Sequence, residues 1–388
     1  MPKLIRAHIT PELLSWARDR LHLTIEAVAL KTKYPASTLQ SWESGASRPT
    51  VGQARRIAKV YQVPFAAFYL PTPPEYPIRL PHDYRRIAGT TMDIGTEIIT
   101  LVQDAWQQRD IAMELFELLY SPPRTLRRSL DIHRTAEESG QHLRQAIGIT
   151  HLTQREWRNS RIAFNSWRSS IEELGVLVFQ DSSIGLEQVR GFSLDVRPYP
   201  VVMINRNDGY ASRSFTLLHE LTHILLRNEG LCDFFTSPHQ SPEEQHLEVY
   251  CNAVAAACLI PATDLLRHPL LNIPRRLNQW TDLEISELAI YFSVSRESLL
   301  RRLLTLERTS QQFYEQKRNQ YIQDARNRQR KPGFAPPAID TLSRLGRPFV
   351  TLVLGAYNSK VVTSSDASDF LGLRGKHFNK LSELVGIA

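Results

Sequence analysis

A strongly apolar stretch with three ionisable side chains set inside it, SFTLLHELTHILLR (214–227), leaves few options for the fold around it. Phe215, Leu217, Leu218, Leu221, Ile224 and Leu225 cover most of a helical circumference, so the predicted helix must be buried. Burying His219, Glu220 and His223 with them costs several kcal/mol unless they are paired or bound to a metal. Imidazoles at i and i+4 lie one above the other on a helix face and suit a single tetrahedral ion. Glu220 is one step round from His219, close to such an ion without having to ligate it. There it can take a proton from water whose pKa the ion lowers to about 7. The competing reading is a His/Glu cluster satisfied inside the core without metal.

A site that keeps one position for water needs a third protein ligand. Asp233, His239, Glu243, Glu244, His246 and Glu248 are the candidates downstream. Glu248 stands at the polar mouth of a second helical stretch, EVYCNAVAAACLIP (248–261), with Asn252 one turn on along the same face. A carboxylate there completes a His/His/Glu set, and His246 and Glu244 are the fallback ligands. Cys251 reads as core packing. Tyr250, Tyr210 and His239 are equivalent by spacing as stabilisers of an oxyanion.

Just upstream the residue pattern turns β-branched and aromatic. VLVFQD (176–181), VRGFSLDV (189–196) and YPVVMIN (199–205) predict a small antiparallel sheet, with Pro198 and Pro200 marking a tight connection between the last two. Taken together, HELTH and EVYCNAVAAACLIP resemble the ImmA/IrrE family of zinc peptidases, whose pattern is an HExxH helix followed by E-x-x-x-N-x-x-A and a terminal Leu-hydrophobic-Pro. The resemblance covers roughly 135–305. It implies a gluzincin-like, thermolysin-type fold holding one zinc ion, with manganese the alternative occupant. His219, His223 and Glu248 take the ligand roles in it, and Glu220 is the base. It also implies an edge strand that aligns substrate by β-augmentation, for which PVVMIN is the candidate. Cys251 departs from the family pattern, which usually has Ala there.

Charge placement points to a second activity. The chain has 388 residues and a net charge of +7, but residues 1–70 carry ten Lys/Arg against four acids, and 301–331 nine against three. The second block reads as solvated helix faces, and the first as a polyanion contact. Within the first, Glu12–Arg20 and Thr24–Lys31 show helical spacing with Thr24 as N-cap. Pro35 breaks the pattern, Ser37 or Thr38 restarts it, Gly45 ends it, and Pro49 opens a further helix. The string ARDRLHLTIEAVALKTKYPASTLQSWESGASRPTVGQARRIAKVYQVP resembles the Xre/lambda-repressor-type helix-turn-helix over roughly 8–70. By that resemblance the helix carrying Ser37–Trp42 enters the major groove of double-stranded DNA. Ser37, Thr38 and Gln40 are then candidate base readers, and Lys31, Lys33, Arg48, Arg55 and Arg56 candidate phosphate contacts. Tyr34-Pro35 occupies the turn where the family has a small residue and Val. The rival reading of this head is a module that contacts protein.

The expected fold class is α+β, mostly α. Five parts are expected: a helix-turn-helix head (1–70), a Pro-rich linker and helical connector (71–134), a metallopeptidase (135–282), a helix-turn-helix-like module with a basic helix (283–332), and a small C-terminal helical unit (333–388). Long helical patterns are expected at 93–121 and 135–174, with Thr153 and Glu156 as a start signal in the second and Gly175 as its stop. Ser364/Ser365 are expected to cap a helix that Gly372/Gly375 break. MPKLIRAHIT lacks an apolar h-region, the longest apolar run is half a membrane span, and three cysteines are too few for a disulfide scaffold. These features favour a cytoplasmic protein with no membrane partner. The functional expectation is a bacterial or phage regulator of the stress-response, prophage or toxin–antitoxin kind. Its peptidase cleaves a repressor or antitoxin-type protein, and a homodimer is left open. The alternative is a non-catalytic regulator or antitoxin with a structural or sensory metal site, favoured by the helical mass at both flanks.

Overall fold

The computed structural model describes residues 6–21, 23–74, 96–157, 159–186, 188–227, 242–273, 276–327 and 335–387. The chain divides into two compact units, 1–107 and 108–388. Among the described residues no helix is long and apolar enough to cross a membrane.

The first unit is all helical: α1 (Pro11–Arg20), α2 (Ile25–Thr32), α3 (Ala36–Glu43), α4 (Val51–Tyr61), a 3-10 turn (Phe65–Tyr69) and the start of α5 (Thr96–Leu118). Leu13, Leu14, Ala17, Val28, Leu39, Trp42, Ile57, Tyr61 and Phe68 form its core. Thr24 caps α2 through the Ala27 amide at 3.2 Å, as its spacing predicts. Helix α3 begins earlier than expected, because Pro35 presets the entry with φ −57° and the helix starts at Ala36, not at Ser37 or Thr38. Helix α4 is capped by Thr50 and Gln53 in a reciprocal box, one residue after Pro49. Glu43 turns inward: Arg18 Nε donates to Oε1 at 2.9 Å and the Tyr61 hydroxyl to the same oxygen at 3.1 Å. Burial and the charge of Glu43 push the Tyr61 phenol far above its ordinary pKa.

The second unit places helices around one small sheet. In place of one long pattern, 135–174 contains three helices: α6 (Ala136–Ile147), α7 (His151–Arg155) and α8 (Ser160–Glu173). Gly148 ends α6 in the left-handed region, and Thr150 caps α7 through the Thr153 amide, so the expected start at Thr153 falls inside a helix. Strands β1 (Leu177–Asp181), β2 (Gly191–Leu194) and β3 (Val201–Asn205) follow.

The sheet is mixed, in order β1-β3-β2, and not the antiparallel sheet expected. β2 and β3 form the antiparallel pair across the Pro198–Pro200 connection, whereas β1 pairs with β3 in parallel, Leu177 opposite Val201. The cause is the 182–190 connection, which carries the chain past β3 to the far side. Asn205 Nδ2 holds it through the Ile184 and Val189 carbonyls at 2.9 and 2.8 Å, and Asn207 Nδ2 through Ser182 and Ile184. β3 is therefore central and buried along its whole length, so PVVMIN is not an edge strand.

Helices α9 (Tyr210–Arg227), α10 (Pro242–Leu259), α11 (Ala262–Leu266), α12 (Asp282–Tyr291), α13 (Arg296–Thr305), α14 (Gln311–Asn327), α15 (Pro337–Asn358), α16 (Ser364–Leu371) and α17 (Phe378–Val385) complete the unit. Leu217, Leu221, Val254, Leu288, Leu299, Leu303 and Phe313 belong to one apolar cluster, so α12, α13 and α14 share a core with α9 and α10. Helix α15 packs on β1, with Phe349 edge-on to Phe179 at 5.6 Å. It breaks at Gly346, whose φ of 79° and contact with Glu172 and Arg168 leave no room for a Cβ. Thr363, not Ser364, caps α16, and Gly372 ends it.

Candidate metal centre

Helix α9 carries HELTH into the core of the second unit. Leu217, Leu218, Leu221, Ile224 and Leu225 are all buried. Thr222, polar yet buried, satisfies its hydroxyl on the Leu218 carbonyl at 2.7 Å. The i, i+4 spacing brings the two imidazoles together with Nε2 atoms 3.1 Å apart, and Phe215 stacks on His219.

Helix α10 supplies the third group. Glu248 Oε2 is 3.4 Å from His219 Nε2, and Oε1 is 3.1 Å from His223 Nε2. Among the described residues these three side chains form the one cluster of His, Cys, Asp or Glu able to hold a metal ion. Their spacing fits one. Atoms at 2.0–2.1 Å from a tetrahedral ion stand about 3.3 Å from one another, and the separations here are 3.1, 3.4 and 3.1 Å. Two imidazole lone pairs facing each other at this distance repel unless a proton or cation lies between them. Burial pushes the Glu248 carboxyl up, but hydrogen bonds and charge from both imidazoles outweigh it and hold the group well below the usual carboxylate range. The side chain of His223 is 3% exposed and that of Glu248 40%, so the cluster opens to solvent on the Glu248 side. Glu220, one position from His219, is buried.

Of the other ligand candidates, Glu243 and His246 are exposed on the first turns of α10, while Asp233, His239 and the side chain of Glu244 lie outside the described residues. Cys251 is fully buried in the apolar cluster. The Tyr250 hydroxyl is committed to the start of α6, 2.8 Å from Ser139 Oγ and 3.0 Å from the Arg134 carbonyl, which removes it as an oxyanion stabiliser. Tyr210 packs against the Arg213 guanidinium at 4.4 Å.

What holds Glu248 in place was not visible as a motif. The Ala-rich run of α10 lets α6 approach so closely that a Cβ on Gly140 would stand 2.8 Å from both Ala257 Cβ and the Cys258 amide. At the end of α10, Arg144 donates to the Cys258 carbonyl at 2.6 Å, Gln154 to Leu259 at 2.9 Å and Arg302 to Ile260 at 2.9 Å. Three side chains from three helices thus satisfy carbonyls that a helix terminus leaves unpaired. The available signal was an arginine on the apolar face of each pattern, Arg144 in α6 and Arg302 in α13. Arg302 also pairs with Glu137, so its charge is neutralised within the second unit.

In the first unit, Ser37 and Gln40 are exposed on α3, opposite the buried Leu39 and Trp42, and Thr38 is half-buried. Lys31 lies in the last turn of α2 and Lys33 follows the helix in the left-handed region, both exposed. Tyr34 stacks edge-on against Trp42, so the turn is built from Lys33, Tyr34 and Pro35. Arg48 is exposed in the turn before α4. On α4 itself, Arg55 and Arg56 are exposed and lie over the rings of Phe65 and Tyr34 at 5.5 Å each.

Family comparisons agree with this division. The helix-turn-helix family model matches residues 14–68, and the IrrE N-terminal-like domain model, a peptidase family, matches 171–304. No curated protein matches the chain at a significant level. The chain therefore joins an N-terminal helix-turn-helix domain of the Xre type to a C-terminal peptidase domain of the ImmA/IrrE kind.

Proposed function

We propose that the protein is a DNA-binding regulator whose peptidase domain is a zinc-dependent endopeptidase acting on a repressor or antitoxin-type protein. The observation that carries the enzymatic half is the convergence of His219, His223 and Glu248 at 3.1–3.4 Å on one side of a buried helix that also bears Glu220. Two imidazole nitrogens and a carboxylate are the donor set of a catalytic zinc site, and a divalent ion that His219, His223 and Glu248 would hold would supply Lewis acidity toward a carbonyl and toward water. Glu220 takes the proton of the attacking water and passes it to the leaving amine nitrogen. Glu248 supplies the negative charge that two neutral imidazoles lack.

Substrate is aligned along β2 rather than β3. Among the described residues β2 lies at the edge of the sheet and pairs with β3 alone, which makes it the strand to which an extended peptide would add. Gly191 lets this strand lie against α9, since a Cβ there would come within 2.6 Å of Thr216 Cγ2, one helical turn before Glu220.

The regulatory half rests on the outward face of α3 and its basic neighbours Lys31, Lys33, Arg48, Arg55 and Arg56. Joining it to a peptidase raises the local concentration of the enzyme near DNA-bound proteins. The test is incubation of wild type and Glu220→Gln with candidate repressors. Cleavage by wild type alone is expected, and equal cleavage by both removes Glu220 from the mechanism.

A further inference from the structure

We infer that the C-terminal helices α16 and α17 form a second helix-turn-helix element, which contacts duplex DNA through Arg374, Lys376, His377, Asn379 and Lys380. The site belongs to the second unit and goes beyond the DNA-binding reading of the head.

This element matches α2 and α3 of the head position for position, without a gap. Thr24 caps α2 by taking the Ala27 amide at 3.2 Å, and Thr363 caps α16 by taking the Asp366 amide at 3.2 Å. Each of these first helices has eight residues and ends on a buried one, Thr32 or Leu371. One left-handed residue follows each, Lys33 at φ 61° and Gly372 at φ 58°. Helical structure resumes three residues later in both. In the head it resumes at Ala36, and here at Gly375 as a 3-10 turn (Gly375–His377) that runs directly into α17.

Burial falls in the same step. Val28 corresponds to Ala367, Leu39 to Phe378 and Trp42 to Leu381, all buried. The exposed Ser37 and Gln40 therefore correspond to the exposed Lys376 and Asn379, and the half-buried Thr38 to the half-buried His377. In a helix-turn-helix these are the positions at the start of the second helix, from which side chains reach base edges.

Helix α15 completes the unit from the other side. Tyr357 packs edge-on to Phe378 at 5.4 Å, Arg344 Nη2 donates to the Leu371 carbonyl at 3.3 Å, and Arg347 Nη2 to the Leu384 carbonyl at 3.1 Å. The helical pair expected at 283–332 is arranged differently. There Arg296 and Arg301 of α13 lie over the rings of Tyr321 and Tyr314 of α14 at 4.5 and 5.4 Å, so a neighbouring helix already covers them.

The chemistry of the outward face selects its partner. From Gly372 to Gly386 it carries Arg374, Lys376 and Lys380 against one acid, Glu383, which pairs with Lys380 at 2.8 Å. Arg374 and Lys376 meet no carboxylate among the described residues. No large apolar side chain is exposed in that stretch, as the centre of a protein interface would require. Cations beside an asparagine suit phosphates and the edge of adenine. A helix enters the major groove of B-form DNA, whereas that of A-form RNA is too narrow.

The test is fluorescence anisotropy of the full chain with a short labelled DNA duplex of random sequence, titrated across a series of KCl concentrations, beside an RNA duplex of the same sequence. Arg374→Ala with Lys376→Ala is expected to lower the slope of log K against log salt by about 1.8, and to do so again in a chain that also carries Lys31→Ala and Lys33→Ala. Lys376→Arg keeps the wild-type slope. Both side chains are exposed, so circular dichroism of the variants matches wild type. If the Arg374/Lys376 variant keeps the full slope while the Lys31/Lys33 variant loses part of it, the second element is wrong and the DNA-binding reading of the head stands. If only the Arg374/Lys376 variant loses slope, the reading of the head falls and the second element stands. Tighter binding of the RNA duplex, lost in the same variant, overturns the assignment to DNA, and a wild type that binds neither duplex overturns both sites.

Discussion

Glu248 reaches the two imidazoles from α10 with one carboxylate oxygen each, whereas Glu220 rides on α9 beside His219 and is 7% exposed. Removing their charges should therefore have separable effects. Glu220→Gln is expected to keep its metal and lose turnover by about a hundredfold to ten-thousandfold, while His223→Ala and Glu248→Gln lose metal as well. Elemental analysis after dialysis, run beside a cleavage assay, distinguishes the two classes. A third glutamate carries a pH signature. Glu172 is buried against Arg168, with Oε1 2.8 Å from Nε, yet burial outweighs the arginine and raises its pKa from 4.5 to about 7. A carboxyl whose folded pKa lies above the unfolded value binds more protons when folded. Its stabilising contribution is full below pH 4.5 and is lost as pH rises through about 7. The difference is about 3 kcal/mol, and Glu172→Gln should flatten that part of a urea-denaturation series followed by intrinsic fluorescence.

Helix α10 shows how packing sets the chemistry. Glu248 stands about two and a half turns before the place where Gly140 of α6 meets Ala257 and Cys258. Gly140→Ala forces a Cβ into backbone that cannot yield, so α10 must shift. Reduced metal affinity is expected with His219, His223 and Glu248 all intact, as read by competition with a chromogenic chelator. In the head, Glu43→Ala leaves Arg18 and Tyr61 without their shared partner and should cost about 3 kcal/mol, seen as a lowered melting temperature.

Elements differ in how far the sequence reveals them. Helix α9 was legible because periodicity and i, i+4 spacing are local, and Thr24 and Gly175 act within their own turns. Sheet order was not, since parallel pairing of β1 with β3 depends on Asn205 and Asn207 holding a loop that starts more than twenty residues earlier. That misplacement also exchanged the edge strand, from β2 to β3. The pairing of Arg144, Gln154 and Arg302 was illegible for a similar reason, as the carbonyls they bind lie 42 to 138 residues away.

At the scale of the molecule, two domains of different chemistry share one chain, matched at 14–68 and 171–304. If the head serves to deliver the peptidase, then weakening DNA contact should spare cleavage of a free peptide and slow cleavage of a DNA-bound partner. Lys31→Ala with Lys33→Ala is the suitable variant, both side chains being exposed and away from the core. The assay compares initial rates with and without the duplex.

All of this depends on His219, His223 and Glu248 gripping one ion beside Glu220. The most direct measurement is anomalous diffraction at the zinc edge from crystals grown with zinc. A single peak about 2.0–2.2 Å from both Nε2 atoms and a Glu248 oxygen, with solvent at the remaining vertex, is the expected result. A peak elsewhere, or a fourth vertex filled by an atom of the chain, contradicts a hydrolytic centre.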